Sequence, residues 1–295
     1  MQVQHKKAVK LAVIGGSGLY QMDAVKVVKE HDVTTPFGKP SDAIIETQID
    51  GRVVYFLPRH GRGHRLTPSE VPYRANIYAL KQLGVTHILA VSACGIMKDE
   101  IKPGDMVVPD QIFDRTKGVR ESTFFGDGIV GHVSFADPFC DEMRQLIIAA
   151  CTANKATTHG SGTYVCMEGP MFSTRAESQQ YRKTLDPAVI GMTAIPEAKL
   201  AREAELSYGM LALATDYDCW HETEEDVTVE VVLAVLKANA ALANAIVKSV
   251  AASLPHESSS PALHAARHAI MTTPALIPAA TKERLALLYG AYLGV

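Results

Sequence analysis

The stretch that most constrains the fold is residues 212–220, ALATDYDCW. An apolar run from Met210 to Ala214 leads without a break into Thr215, Asp216, Tyr217 and Asp218. The run reads as a buried strand. Two carboxylates at i and i+2 share a face of extended backbone, because strand side chains alternate with a period of two. A turn after the strand would relax that geometry. The carboxyl ends of strands are where open α/β sheets present polar groups to ligands. Taken alone, such a pair is more simply a solvated turn with an N-cap for a following helix. It gains weight only if the rest of the chain supplies a site around it.

The surrounding pattern supports the strand. Strands are expected at residues 10–14, 43–49, 53–57, 87–91, 106–114, 162–167, 188–190 and 207–214. Helices are expected at residues 73–83, 137–153, 174–185, 194–206 and 229–254. Strands alternating with helices define an α/β domain over residues 1–254, with a central mixed, mostly parallel sheet flanked by helices. Residues 254–261 read as a linker. The C-terminal helical extension, 255–295, carries two candidate amphipathic helices, at 262–271 and 281–293, expected to dock on the main body or on a partner subunit.

Composition narrows the function. The net charge is -3 with no long basic run, which argues against a dedicated nucleic-acid face. The five cysteines show neither C-x-x-C nor metal-ligand spacing, so buried thiols in a reducing, cytoplasmic compartment are expected. The N-terminal MQVQHKKAVK lacks the apolar core of a secretory signal. The apolar stretch 227–254 is broken by Glu230, Lys237, Asn239, Asn244 and Lys248, which favours a soluble helix over a membrane span.

Several strands end in loops suited to an anion. Gly15-Gly16-Ser17-Gly18 is neither a dinucleotide fingerprint, since position 21 is Gln, nor a P-loop. It remains either a tight turn or a backbone cradle. Residues 58–65, PRHGRGHR, form a dense cationic loop. Arg59 and His60 follow the strand at once and are expected to point inward onto a phosphate, an arginine fork suiting that geometry. Arg62, His64 and Arg65 are expected in solvent. Ser92-Ala93-Cys94-Gly95 reads as a third small-residue turn, and residues 116–130 as a long Gly- and Phe-rich loop.

These loops, taken in order with TPFGKPSDA, PRHGRGH, YRANIYALKQLG, ACGIMKDEIKPGD, MEGPMFSTRAES, MTAIPEAKLARE and ATDYDCW, closely resemble the trimeric purine nucleoside phosphorylases, within them the methylthioadenosine phosphorylases. The resemblance runs over about residues 8–254. It implies a purine nucleoside phosphorylase-like fold and phosphorolysis of a purine nucleoside, with inorganic phosphate as second substrate and no metal or organic cofactor. It implies phosphate contacts from Ser17, Arg59, His60, Ser92, Ala93 and Thr193. Ser17 and Ser92 stand where this subfamily commonly has threonine, and both keep the hydroxyl. Met192 would lie beneath the sugar, with Ala93 also on the ribose. Phe172 would stack on the purine and Ser173 influence base choice. Asp216 and Asp218, with Tyr217 between them, would face N7 and the exocyclic amine. Asp216, Asp218 and His60 are the implied catalytic groups. Val229, Val232 and Leu233 would line an apolar pocket for the 5′ substituent, and His132 would reach a neighbouring subunit's site in a homotrimer or a dimer of trimers. No nucleic acid or membrane partner is implied. The leading substrate is 5′-methylthioadenosine. The alternatives are a sister phosphorylase of 6-oxopurine nucleosides, which tends to carry asparagine at the position of Asp216, and a non-catalytic nucleoside-binding protein on the same fold.

Overall fold

The computed structural model describes residues 6–15, 27–221 and 227–294. In chain order the strands are β1 (Lys7–Ala8), β2 (Leu11–Gly15), β3 (Val27–His31), β4 (Ile44–Ile49), β5 (Arg52–Pro58), β6 (His87–Ile96), β7 (Met106–Val107), β8 (Gln111–Arg115), β9 (Thr158–His159), β10 (Thr163–Met167), β11 (Val189–Gly191), β12 (Ser207–Asp216) and β13 (Glu257–Ser258). The helices are α1 (Tyr73–Gln82), α2 (Asp141–Ala153), α3 (Arg175–Leu185), α4 (Ala194–Glu203), α5 (Val229–Ser253) and α6 (Ala279–Leu293).

All strands but β1 and β13 join one mixed sheet. At its centre β2 runs parallel to β5 and β6, and β6 runs parallel to β12. Hairpins add antiparallel β4 and β3 at one edge, where Asp50 (φ 48°) and Gly51 (φ 76°) make the tight turn into β5. On the other side β11 pairs antiparallel with β6 and carries β10 and β8 in parallel.

The period-two alternation of β2 divides the core. Ala12 and Ile14 face α1, α4 and α6, whereas Leu11 and Val13 face α2 and α5. The result is a sheet sandwiched between two helical layers. α5 is long and apolar enough to cross a bilayer by length and composition. Here its C-terminal half, with Ile246, Val247 and Val250, is buried against α2 and the sheet as a core helix.

Four expectations need correction. Residues 92–95 are not a turn: β6 runs on to Ile96, first beside β12 and then beside β11. The small residues serve close packing instead, since a Cβ on Gly95 would meet Ile190 Cγ2 at 3.0 Å and Asp216 Oδ1 at 3.3 Å. The strand expected over 106–114 is split into β7 and β8 around Pro109, which has no N–H for a ladder. The helix expected from residue 137 begins at Asp141, after the Cys140 N–H donates to the Tyr208 carbonyl at 2.7 Å. The first candidate helix of the extension is only a short 3-10 turn, Pro261–His264, followed by irregular chain.

The extension docks on the main body. β13 pairs with β1, and Leu285, Leu288, Tyr289 and Leu293 of α6 join the core cluster that holds Ile14 and Leu57. All five cysteines are buried free thiols.

Candidate active site

Because β2, β5, β6 and β12 run parallel, their carboxyl ends open toward one edge of the sheet. In register, Gly15 lies opposite both Pro58 and Val91. Beyond these ends lies a cavity of about 600 Å³, walled on one side by α5.

One end, where an anion was expected, is lined by Arg59, His60, Ser92, Ala93 and Thr193. The Arg59 N–H donates to the Gly15 carbonyl at 3.0 Å, so β2 positions the residue after β5. The Ser92 and Thr193 hydroxyls stand 3.4 Å apart. Arg59 is 0% exposed, and most of its fork is spent on protein partners rather than aimed whole at the cavity as the sequence suggested. Nε and Nη2 grip the Glu197 carboxylate at 2.7 and 2.9 Å. Nη1 donates to the Val91 carbonyl and Nη2 to that of Ile14. Four of the five guanidinium N–H groups are thereby committed, leaving one on Nη1. Burial opposes the Arg59 charge, but Glu197 outweighs it and holds the guanidinium fully protonated.

His60 Nδ1 lies 2.9 Å from the Leu66 carbonyl. A carbonyl only accepts, so Nδ1 carries the proton and Nε2 the lone pair. Burial, reinforced by the Arg59 charge, pushes its pKa down to about 4, so the ring is neutral near pH 7. The His64 ring stacks on it with centroids 4.4 Å apart. Arg62, His64 and Arg65 are exposed as expected; Arg62 sits at the surface with Asp42 and Glu30, and His64 and Arg65 also line the cavity.

The opposite end is built by Asp216 and Asp218. Asp216 Oδ2 accepts from the Thr215 hydroxyl at 2.6 Å and Oδ1 from the Asp218 N–H at 2.9 Å. Burial nevertheless pushes the Asp216 carboxyl above its ordinary range, and the Asp218 charge adds to this. Burial likewise raises Asp218, whose backbone turns left-handed at φ 52°. Phe172 and Met192 line the middle. Gly169, at φ 69°, is required there, since a Cβ would lie 2.4 Å from the Met192 sulfur. Val229, Val232 and Leu233 line the α5 side as expected, and the same helical face continues through Leu236, Ala240 and Ala243.

Some expected residues stand elsewhere. Tyr217 lies off the cavity lining and packs in the core, edge-on to Trp220 with centroids 5.6 Å apart. Ser173 is not on the lining, although its carbonyl accepts from Cys219 Sγ. His132, expected in a neighbouring subunit's site and not in its own, lies off this lining, its N–H bonded to the Ala269 carbonyl at 2.9 Å. Ser17 lies outside the described residues.

Sequence reasoning missed Glu197, Glu168 and Arg120. Glu197 did leave a signal, as the lone charge within the apolar Ala194–Ala198 run. Arg120 and Glu168 form a buried pair at 2.8 Å behind the Met192 turn.

A profile of the Phosphorylase superfamily matches residues 10–252. The S-methyl-5'-thioadenosine phosphorylase of Geobacter sulfurreducens is 54% identical over 283 residues, 96% of this chain and 99% of the relative. That of Hyperthermus butylicus is 51% identical, covering 84% and 89%. Among solved structures, a methylthioadenosine phosphorylase from an antarctic soil metagenomic library superposes with a TM-score of 0.88 at 50% identity, over 95% of this chain and 99% of that one. The Schistosoma mansoni methylthioadenosine phosphorylase in complex with adenine gives 0.82 at 39% identity, over 91% and 97%.

Proposed function

The chain belongs to the phosphorylase superfamily, and from that premise we propose that it cleaves 5′-methylthioadenosine with phosphate, giving adenine and 5-methylthioribose 1-phosphate. This is a pentosyl transfer of the salvage type. One observation carries the reading: a single cavity joins a cationic, hydroxyl-lined end to a pair of buried carboxyls, with an apolar helix face alongside. The names of the relatives and neighbours point the same way.

The mechanism follows from these groups. The C1′–N9 bond breaks with its electron pair passing to the purine, and the sugar develops oxocarbenium character. Phosphate, held by Arg59, Ser92 and Thr193, with Ser17 as the resemblance implies, stabilises that charge and then bonds to C1′ through an oxygen. Charge on the departing adenine spreads to N7. A carboxyl whose proton affinity is raised by burial can share a proton with N7 as the bond breaks, and Asp216, raised in this way, suits the role. Phe172 stacks on the base, and Met192 and Ala93 support the ribose. Val229, Val232 and Leu233 receive the methylthio group. The chemistry draws on phosphate alone as second substrate, with no metal or organic cofactor.

The assembly that suits this site is a homotrimer, with His132 completing a neighbour's cavity. Apolar side chains left exposed near the mouth, including Met171 and Phe172, favour a covered rim. The buried free thiols suit a cytoplasmic setting. Phosphate-dependent release of adenine from methylthioadenosine tests the reading. Release that ignores phosphate, or equal turnover of methylthioinosine, overturns it.

A further inference from the structure

The Arg120–Glu168 pair is buried, lies outside the cavity lining, and is used by no step above. Its hydrogen bonds tie together the segments around Ser69, Lys117, Glu168 and Met192. Arg120 Nη1 donates to the carbonyls of Met192 (2.6 Å) and Ile195 (2.7 Å). Nη2 donates to the Glu168 carbonyl, and Nε to Glu168 Oε1 at 2.8 Å. Glu168 in turn accepts from the Ser69 hydroxyl on Oε1 and from the Lys117 N–H on Oε2 at 2.7 Å. Thr67 and Pro68, just before Ser69, line the cavity, as do Pro170 and Phe172, just after Glu168.

The two carbonyls gripped by Nη1 bracket Thr193. A guanidinium is a rigid fork, so fixing both acceptors fixes the turn between them. That turn presents the Met192 side chain and the Thr193 hydroxyl to the cavity. We propose that Arg120, locked by Glu168, is a positioning residue that sets the Met192–Thr193 turn against the anion end of the cavity. It touches no substrate and acts through Thr193. The inference rests on the phosphorolytic reading, since it assigns Thr193 to phosphate.

Arg120→Lys keeps the charge but cannot span these acceptors. With folding verified by circular dichroism, kcat/KM for phosphate should fall on the order of 10–100-fold, as expected for a reacting group displaced by about 1 Å. A Thr193→Val cycle separates positioning from general loosening. If Arg120 acts through Thr193, the double variant should be little worse than Thr193→Val alone, because coupled sites are non-additive. Unchanged kinetics in Arg120→Lys, or losses that add, overturn the proposal. Should Arg120→Lys fail to fold, Glu168→Gln, which weakens the lock while keeping its shape, is read in the same cycle with the same outcomes. Phosphate binding by calorimetry is measured alongside. Wild-type binding without adenine release would count against the proposed reaction. The binding cycle still judges Arg120, because non-additive loss of phosphate affinity supports it and additive or absent loss overturns it.

Discussion

Arg59 is the residue whose replacement should separate stability from phosphate affinity. The sequence suggested a fork aimed at phosphate, so that loss of Arg59 would affect only the anion. The structure commits two guanidinium nitrogens to Glu197, and both partners are buried to 1% side-chain exposure. Removing one member of such a pair strands the other charge, at about 3–5 kcal/mol. Arg59→Met fills most of the space of the stem and leaves Glu197 with only the Tyr208 hydroxyl, 2.9 Å away. At roughly 2 cal/mol/K of unfolding entropy per residue, the melting temperature should drop by about 5–8 °C. Phosphate would lose one charge-assisted hydrogen bond, worth about 1.5–3 kcal/mol, and kcat/KM for phosphate should fall roughly 10–150-fold.

The double variant Arg59→Met, Glu197→Gln isolates the two effects. Glutamine removes the stranded charge while its oxygen still accepts from Tyr208. Most of the melting temperature should return, and the phosphate defect should remain. Differential scanning calorimetry and initial-rate kinetics at varied phosphate give both numbers. A double variant no more stable than Arg59→Met would refute the stranded-charge argument. Recovery of phosphate kinetics along with stability would remove Arg59 from the anion site.

Asp216→Asn replaces an acceptor with an amide that can donate to a 6-oxo group, so the kcat/KM ratio of methylthioadenosine over methylthioinosine should be large in the wild type and fall in the variant; a ratio unmoved by the change removes Asp216 from base selection. The apolar α5 face should favour methylthioadenosine over adenosine by ~1–3 kcal/mol in kcat/KM, and equal efficiency on both would defeat that assignment. His60 titrates near 6.5 when unfolded and at about 4 when folded. Its contribution to stability is therefore complete above pH 6.5 and lost as pH falls toward 4, by about 3 kcal/mol in all; urea unfolding of wild type and His60→Asn should diverge over that window, and parallel curves would contradict the buried neutral ring. Deleting residues 255–295 strips Leu263, Leu285, Leu288, Tyr289 and Leu293 from the core. At about 1.5–3 kcal/mol each this matches a whole domain's stability, so a soluble truncated chain with a cooperative melt would be the contrary result.

The strand-end loops were legible because an apolar run stopping at Gly, Arg-His or Asp announces both a buried strand and what lies at its mouth. The pairings were not, since they depend on residues far apart in the chain. Arg59 and Glu197 are 138 positions apart, and nothing local marks them as partners. The same holds for Arg120, one cation in a loop whose glycines and phenylalanines drew the attention. Ser92-Ala93-Cys94-Gly95 was misread because small residues signal turns and close packing alike, and only the neighbouring β11 and β12 decide between them. The D-x-D pair was read as one face of a strand. In fact β12 ends at Asp216, and the left-handed backbone at Asp218 brings the second carboxyl to the cavity. Both carboxyls line the cavity, although not for the period-two reason.

Topology explains why both ends of the site meet on β6. Its first nine residues run parallel to β12, so the two strands leave the sheet together and Asp216 arrives opposite Gly95. Its last two pair antiparallel with β11, where Ile190 faces Gly95 and Val189 faces Ile96. A strand running backward along β6 carries its next residues toward Ser92, which is how the Thr193 hydroxyl comes within 3.4 Å of that of Ser92. Had β11 been parallel, Met192 and Thr193 would leave at the far end of β6, away from Arg59. A single reversal within an otherwise mostly parallel centre thus sets the anion end of the cavity beside the carboxyl pair. The close approach it demands is paid at Gly191, where a Cβ would lie 2.1 Å from the Tyr164 hydroxyl. Gly191→Ala should accordingly push the Met192–Thr193 turn out of place and lower kcat/KM for phosphate although the Ser92 and Thr193 hydroxyls are kept; unchanged phosphate kinetics would refute this.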